Sequence, residues 1–212
     1  MNYFGHAAVA SWTTAEPAVV LGAMLPDLAT MCGARLAAAD AQPDPALGRG
    51  IALHEATDAA FHRLPAATAL MRELDDRLDR LGCARGPRRA VAHVGTELLL
   101  DGVYLDDAAF RAAYLAGVAA VPASVAWQSD AVVADARLGL VLARMRHVGV
   151  PDDLRDPERV TARLARILAP RPLLAPSPAD LRAIHAALVA HKPRVDVAAA
   201  TVLQGVRASL NA

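Results

Sequence analysis

Two cysteines in 212 residues, Cys32 and Cys83, are too few for a disulfide framework or a thiolate zinc site, and both lie in stretches that read as intracellular. Any metal held here is therefore expected on nitrogen and oxygen. Aromatics are scarce at 4%, while the 55% apolar fraction leans on alanine, a composition that suits close-packed helices better than a β-sandwich. Charge of either sign is not in excess. Lys+Arg and Asp+Glu stand at 22 each, so the field that draws nucleic acid or an anionic membrane surface is missing, and no nucleic-acid partner is expected. No apolar run approaches the ~20 residues that span a bilayer. Gly5, His6 and Ser11 also interrupt the start of the chain, which lacks the basic and apolar regions of a signal peptide. A soluble, cytoplasmic protein is the expectation. Its length suits one domain with a sizeable core, and the fold expected over residues 1–212 is an all-α, single-domain helical bundle.

Met1 to Trp12 reads as a short apolar helix carrying His6. Thr13-Thr14-Ala15-Glu16-Pro17 then supplies a cap and an early proline for a second helix, which Pro26 is expected to break, with Asp27 at the break. Residues 37–50 read as loop. A helix follows from about Leu47 to Arg63, closed by Pro65, and a third amphipathic helix turns Leu70, Leu74, Leu78 and Leu81 inward. Gly82 to Gly86 predict a turn before a helix from about Arg88 to Val103. Further helices are expected at Asp106 to Ala120, Ser124 to Arg146, Pro157 to Leu168, Pro178 to His191 and Arg194 to Leu210.

Two of these helices carry the chemistry. His54, Asp58 and His62 are spaced four apart, as are His93, Glu97 and Asp101, and such spacing makes one slowly drifting stripe along a helix. Each stripe begins with histidine. The second is flanked by Val91, Val94, Leu98, Leu99 and Leu100, and a lone carboxylate in such surroundings costs several kcal/mol unless it is paired or ligates a cation. Arg49 and Arg63 stand at the ends of the first helix, while Arg88 and Arg89 precede His93. A metal therefore accounts for more of the pattern than salt bridges do. The plainer alternative is a solvated or salt-bridged helix face. His147, just before Gly149, and His191, just before Lys192-Pro193, read as helix C-terminal histidines, and no neighbouring carboxylate supports His185, so all three are left out of the site.

The first half also resembles a known family. Met1-Asn2-Tyr3-Phe4-Gly5-His6, Leu21-Gly22-Ala23-Met24-Leu25-Pro26-Asp27, and Gly50-Ile51-Ala52-Leu53-His54 with Asp58 and Phe61-His62-Arg63-Leu64-Pro65 are similar to the acyl carrier protein phosphodiesterases. These are a divergent branch of the HD-type metal-dependent phosphohydrolases. The resemblance covers residues 1–105. It implies an HD-domain-like bundle in which residues 1–105 carry the metal-site helices and residues 106–212 support them. It further implies hydrolysis of the phosphodiester between 4′-phosphopantetheine and a carrier-protein serine, on a manganese-type centre.

His6, Asp27, His54 and Asp58 match the family's ionisable pattern position by position. Elsewhere this chain departs from it. His62 replaces an aspartate, His93 and Glu97 followed by Leu98 replace paired aspartates followed by a histidine, and Glu55 replaces a basic residue. The ligand set thus shifts toward nitrogen.

The expected metal ligands are His6, Asp27, His54, Asp58, His62, His93, Glu97 and Asp101, with Asp27 or Asp58 orienting the attacking water. So many ligands imply one or two divalent ions, manganese, zinc or iron. The expected reaction is phosphodiester hydrolysis, with a small phosphoester or acyl carrier protein as substrate. A zinc-dependent phospholipase C-like hydrolase and a non-enzymatic helical scaffold are the alternatives. A di-iron oxygenase is remote, because the stripe helices lack its Glu-x-x-His pairs.

Overall fold

Five helices of this protein begin on a proline, Pro17, Pro45, Pro65, Pro157 and Pro178, where the ring's fixed φ suits the first turn and its missing amide is no loss. The computed structural model describes residues 1–122 and 124–211. Among them the chain is all-α: α1 (Tyr3–Ala10), α2 (Pro17–Cys32), α3 (Pro45–Arg63), α4 (Pro65–Arg80), α5 (Arg85–Tyr104), α6 (Ala108–Ala119), α7 (Ala131–Val148), α8 (Pro157–Leu168) and α9 (Pro178–Leu210). Two short 3-10 turns lie at Ala39–Ala41 and Asp152–Arg155, and among the described residues the only β pairing is an isolated bridge between Leu36 and Trp127. No helix of the described residues is long and apolar enough to cross a membrane.

The elements group into two compact units, Met1–Ala59 with Tyr104–Pro151, and Ala60–Val103 with Asp152–Ala212. In the first, α1 is buried on every side and packs on α2 and α6. The rings of Tyr3 and Phe4 meet Tyr114 of α6 at 6.1 and 5.4 Å. Helices α2 and α3 cross at a pair of glycines. A Cβ on Gly22 would collide with the Leu47 carbonyl, and one on Gly50 would stand 2.6 Å from the Gly22 Cα, so only glycine lets these backbones approach. His54 follows Gly50 by one turn, so the crossing carries its ring to the Ala23 carbonyl.

In the second unit α9 packs on α4 and α8. A capping box joins Ser177 to Asp180 at its start, and the Ala84 amide donates to the Asp180 carboxylate at 2.7 Å. Those hydrogen bonds hold the Asp180 carboxyl down at about 2. Helix α5 is seated by Gly102, whose missing Cβ admits the Leu154 carbonyl.

Two expected breaks are absent. Pro26 lies inside α2, which continues to Cys32 and ends on Gly33 in the left-handed conformation at φ 64°. Pro193 lies inside α9, one helix of 33 residues where two were expected. An interior proline removes one ladder donor without having to end a helix, provided packing holds both arms in line. The carbonyl deprived by Pro193 belongs to Val189, which is half exposed, so water can replace the missing donor. Both arms of α9 bury apolar residues, including Ile184, Leu188, Val195 and Val202. Helix α7 begins at Ala131 rather than Ser124 because Asp130 caps it, while the described residues just before it form only the single Leu36–Trp127 bridge and then bend at 128–129. Leu81 is 49% exposed rather than core, since α4 ends at Arg80 and the chain turns through Gly82 at φ 74°.

Candidate metal sites

Histidine becomes a metal ligand when one ring nitrogen keeps a lone pair and the other is fixed by a hydrogen bond. The first unit meets this condition twice. His54 Nδ1 lies 2.9 Å from the Ala23 carbonyl, which can only accept, so Nδ1 carries the proton and Nε2 the lone pair. His6 Nε2 lies 2.9 Å from the Met1 carbonyl, so its lone pair is on Nδ1. The two rings stack with centroids 3.7 Å apart and planes inclined by 23°. Burial lowers the His54 pKa, against the hydrogen bond to Ala23, and favours the neutral form that ligation requires.

Asp27 completes the group. One ligand atom each from His6, Asp27 and His54 lies within 4.8 Å of the others, two imidazoles and a carboxylate drawn from α1, α2 and α3. Asp27 reaches it because α2 runs on through Pro26. Asp58 stands outside the group, its side chain 41% exposed and its Oδ1 3.3 Å from the Met1 ammonium.

The second unit holds a separate group. His62, His93 and Glu97 also bring ligand atoms within 4.8 Å of one another. His93 and Glu97 are an i, i+4 pair on α5, with Nε2 and Oε1 2.9 Å apart, and His62 Nε2 lies 3.9 Å from that same oxygen. The two imidazoles meet edge to face at 4.8 Å. Burial works to raise the Glu97 pKa and the His93 hydrogen bond to lower it; the carboxyl lies below its ordinary value.

Each expected stripe is therefore divided. On α3, His54 joins His6 and Asp27, His62 joins His93 and Glu97, and Asp58 pairs with the Met1 ammonium. On α5, Asp101 is buried and belongs to neither group. The Met1 and Ala23 carbonyls that orient the two rings are contributors that residue spacing does not announce, and the role of Ala23 depends on the Gly22–Gly50 crossing. No protein-family model, curated protein or solved structure matches this chain.

Proposed function

We propose that this protein is a metal-dependent phosphohydrolase of HD-domain-like type, acting on phosphodiesters with an activated water. The observation that carries the reading is the His6–Asp27–His54 group, in which main-chain carbonyls set which nitrogen of each ring keeps its lone pair. Two nitrogens and one carboxylate suit manganese, iron or zinc and leave coordination positions for water and substrate. A divalent ion held there supplies Lewis acidity toward a phosphoryl oxygen and makes water more acidic.

The chain's own residues do the rest. His6 and His54 act as neutral donors, and the buried His6 sits in a helix whose every residue is buried, which fixes the position of its ring. Asp27 balances the cation's charge. Asp58, one turn along α3 from His54 and partly exposed, orients the incoming water and takes its proton. As the new P–O bond forms, the bond to the leaving alkoxide breaks, and the alkoxide takes up the proton that Asp58 removed from the water. The order of these residues resembles the acyl carrier protein phosphodiesterase pattern, which makes a phosphopantetheine-type diester the first natural substrate to test.

A panel of bis(p-nitrophenyl) phosphate, p-nitrophenyl phosphate, nucleotides, phosphocholine esters and loaded acyl carrier protein, each with manganese, zinc or magnesium, provides the test. Diester cleavage abolished by chelation and restored by manganese or zinc is the expected result. His54→Ala and Asp27→Asn are expected to lower kcat/KM by at least ~100-fold, about 3 kcal/mol of transition-state stabilisation. Hydrolysis that survives chelation, or that both variants retain, overturns the reading.

A further inference from the structure

The second group has a geometry of its own. A zinc ion with bonds of about 2.0–2.1 Å to nitrogen and oxygen sets its tetrahedral donors about 3.3 Å apart. The separations in this group straddle that figure, 2.9 Å from His93 Nε2 to Glu97 Oε1 and 3.9 Å from His62 Nε2 to the same atom. Changes of about half an ångström in side-chain position, within reach of a rotamer adjustment, would equalise them.

Four features converge here. The i, i+4 spacing places His93 and Glu97 on one face of α5, the arrangement by which helices present paired metal ligands. Glu97 is only 8% exposed, which fixes its carboxylate in place beside His93. His62 and His93 are 34% and 49% exposed along their side chains, so an ion can arrive from solvent and keep a solvent-facing position open. Two imidazoles with one carboxylate are too nitrogen-rich for magnesium or calcium and suit zinc or cobalt.

We infer that His62, His93 and Glu97 form a zinc-class cation site in the second unit, open to an exchangeable fourth ligand. This site needs nothing from the hydrolytic reading above. Its occupancy is a property of three side chains and is measured without any substrate.

The whole chain is stripped with chelator and titrated with zinc or cobalt chloride, with elemental analysis for stoichiometry and visible cobalt absorption for geometry. His62→Ala, His93→Ala and Glu97→Gln are each expected to bind one ion fewer than the parent protein. Affinity at this site is expected to fall by at least ~10- to 100-fold, the range that loss of an outer-shell partner alone already spans. Added azide is expected to shift the cobalt spectrum of the parent, and excess magnesium chloride to displace nothing. His147→Ala and His185→Ala are expected to leave the stoichiometry unchanged, and thermal unfolding of each chelated variant verifies its fold. His93 is half exposed, so its truncation is the variant least disturbing to the core.

Parent-like stoichiometry and affinity in all three variants overturn the proposal, as does equal competition by magnesium. The two readings fail separately. Loss of an ion in His54→Ala but in none of these three removes this site and leaves the hydrolytic centre standing. The opposite pattern does the reverse.

Discussion

The two units hold the same donors, two histidines and one carboxylate, but reach them by different routes. In the first, three helices each supply one ligand, α2 and α3 meet through paired glycines, and backbone carbonyls orient both rings. In the second, one helix supplies two ligands four residues apart, and tertiary structure adds only His62. The first group is preorganised and sensitive to the fold around it. The second is largely local, with its histidines partly in solvent. Long-range convergence gives control over ring orientation and burial at the cost of tolerance to substitution.

The comparison breaks most severely at the helix crossing. Gly50→Val puts a branched side chain where not even a Cβ fits, and is expected to destabilise the protein by about 3 kcal/mol or more and to abolish the metal binding proposed at His54. Chemical denaturation together with metal analysis checks both. A parent-like midpoint would mean that the crossing does not hold the first group together.

Capping of α9 is the next largest effect and belongs to the second unit alone. Ser177→Ala removes the hydroxyl that the Asp180 amide and carboxylate share, with an expected loss of about 1 kcal/mol by urea denaturation. The hydrolysis proposed for the first unit is expected to be unaffected in that variant. The Asp180 carboxyl, held at about 2, contributes stability above its unfolded pKa near 3.8, and this is lost as the pH falls toward 2.

A pH titration sharpens the contrast further. His191 of α9 is fully buried, and burial lowers its pKa to about 4, with Glu73 opposing the shift and Arg77 and Arg194 adding to it. A histidine kept neutral in the folded state stabilises that state above the unfolded pKa of about 6.5, and the contribution is lost progressively as the pH falls toward 4. His191→Gln is therefore expected to flatten the pH dependence of the melting temperature between these limits. An unchanged profile would assign acid sensitivity to other groups.

The smallest expected effect is a gain. Gly139 lies inside α7, and among the described residues a Cβ there meets nothing within 4 Å, unlike those on Gly22 and Gly50. Gly139→Ala is expected to stabilise the protein by about 0.5–1 kcal/mol through helix propensity alone.

Much of the helical plan is legible in the chain because its signals are local. Prolines at first turns, Asp and Ser caps, and apolar spacing mark most helices to within a few residues, and Pro157 to Leu168 agrees at both ends. Pro26 and Pro193 misled because a proline's effect depends on what supports the helix on either side of it. The candidate residues were legible as types and spacings. Which of them meet was not, since two stripes on two helices are equally compatible with several arrangements.

By itself, the sequence determined that this protein is helical, that its candidate ligands are nitrogen and oxygen, and that His93 faces Glu97, because each follows from composition or from the pitch of one helix. Only the tertiary structure decided that His54 and His62, two turns apart on α3, join different groups, and that Asp58 joins neither. The physical reason is that ligand convergence depends on where backbones can touch, and Gly22 and Gly50 reveal their closeness only once α2 and α3 are packed together.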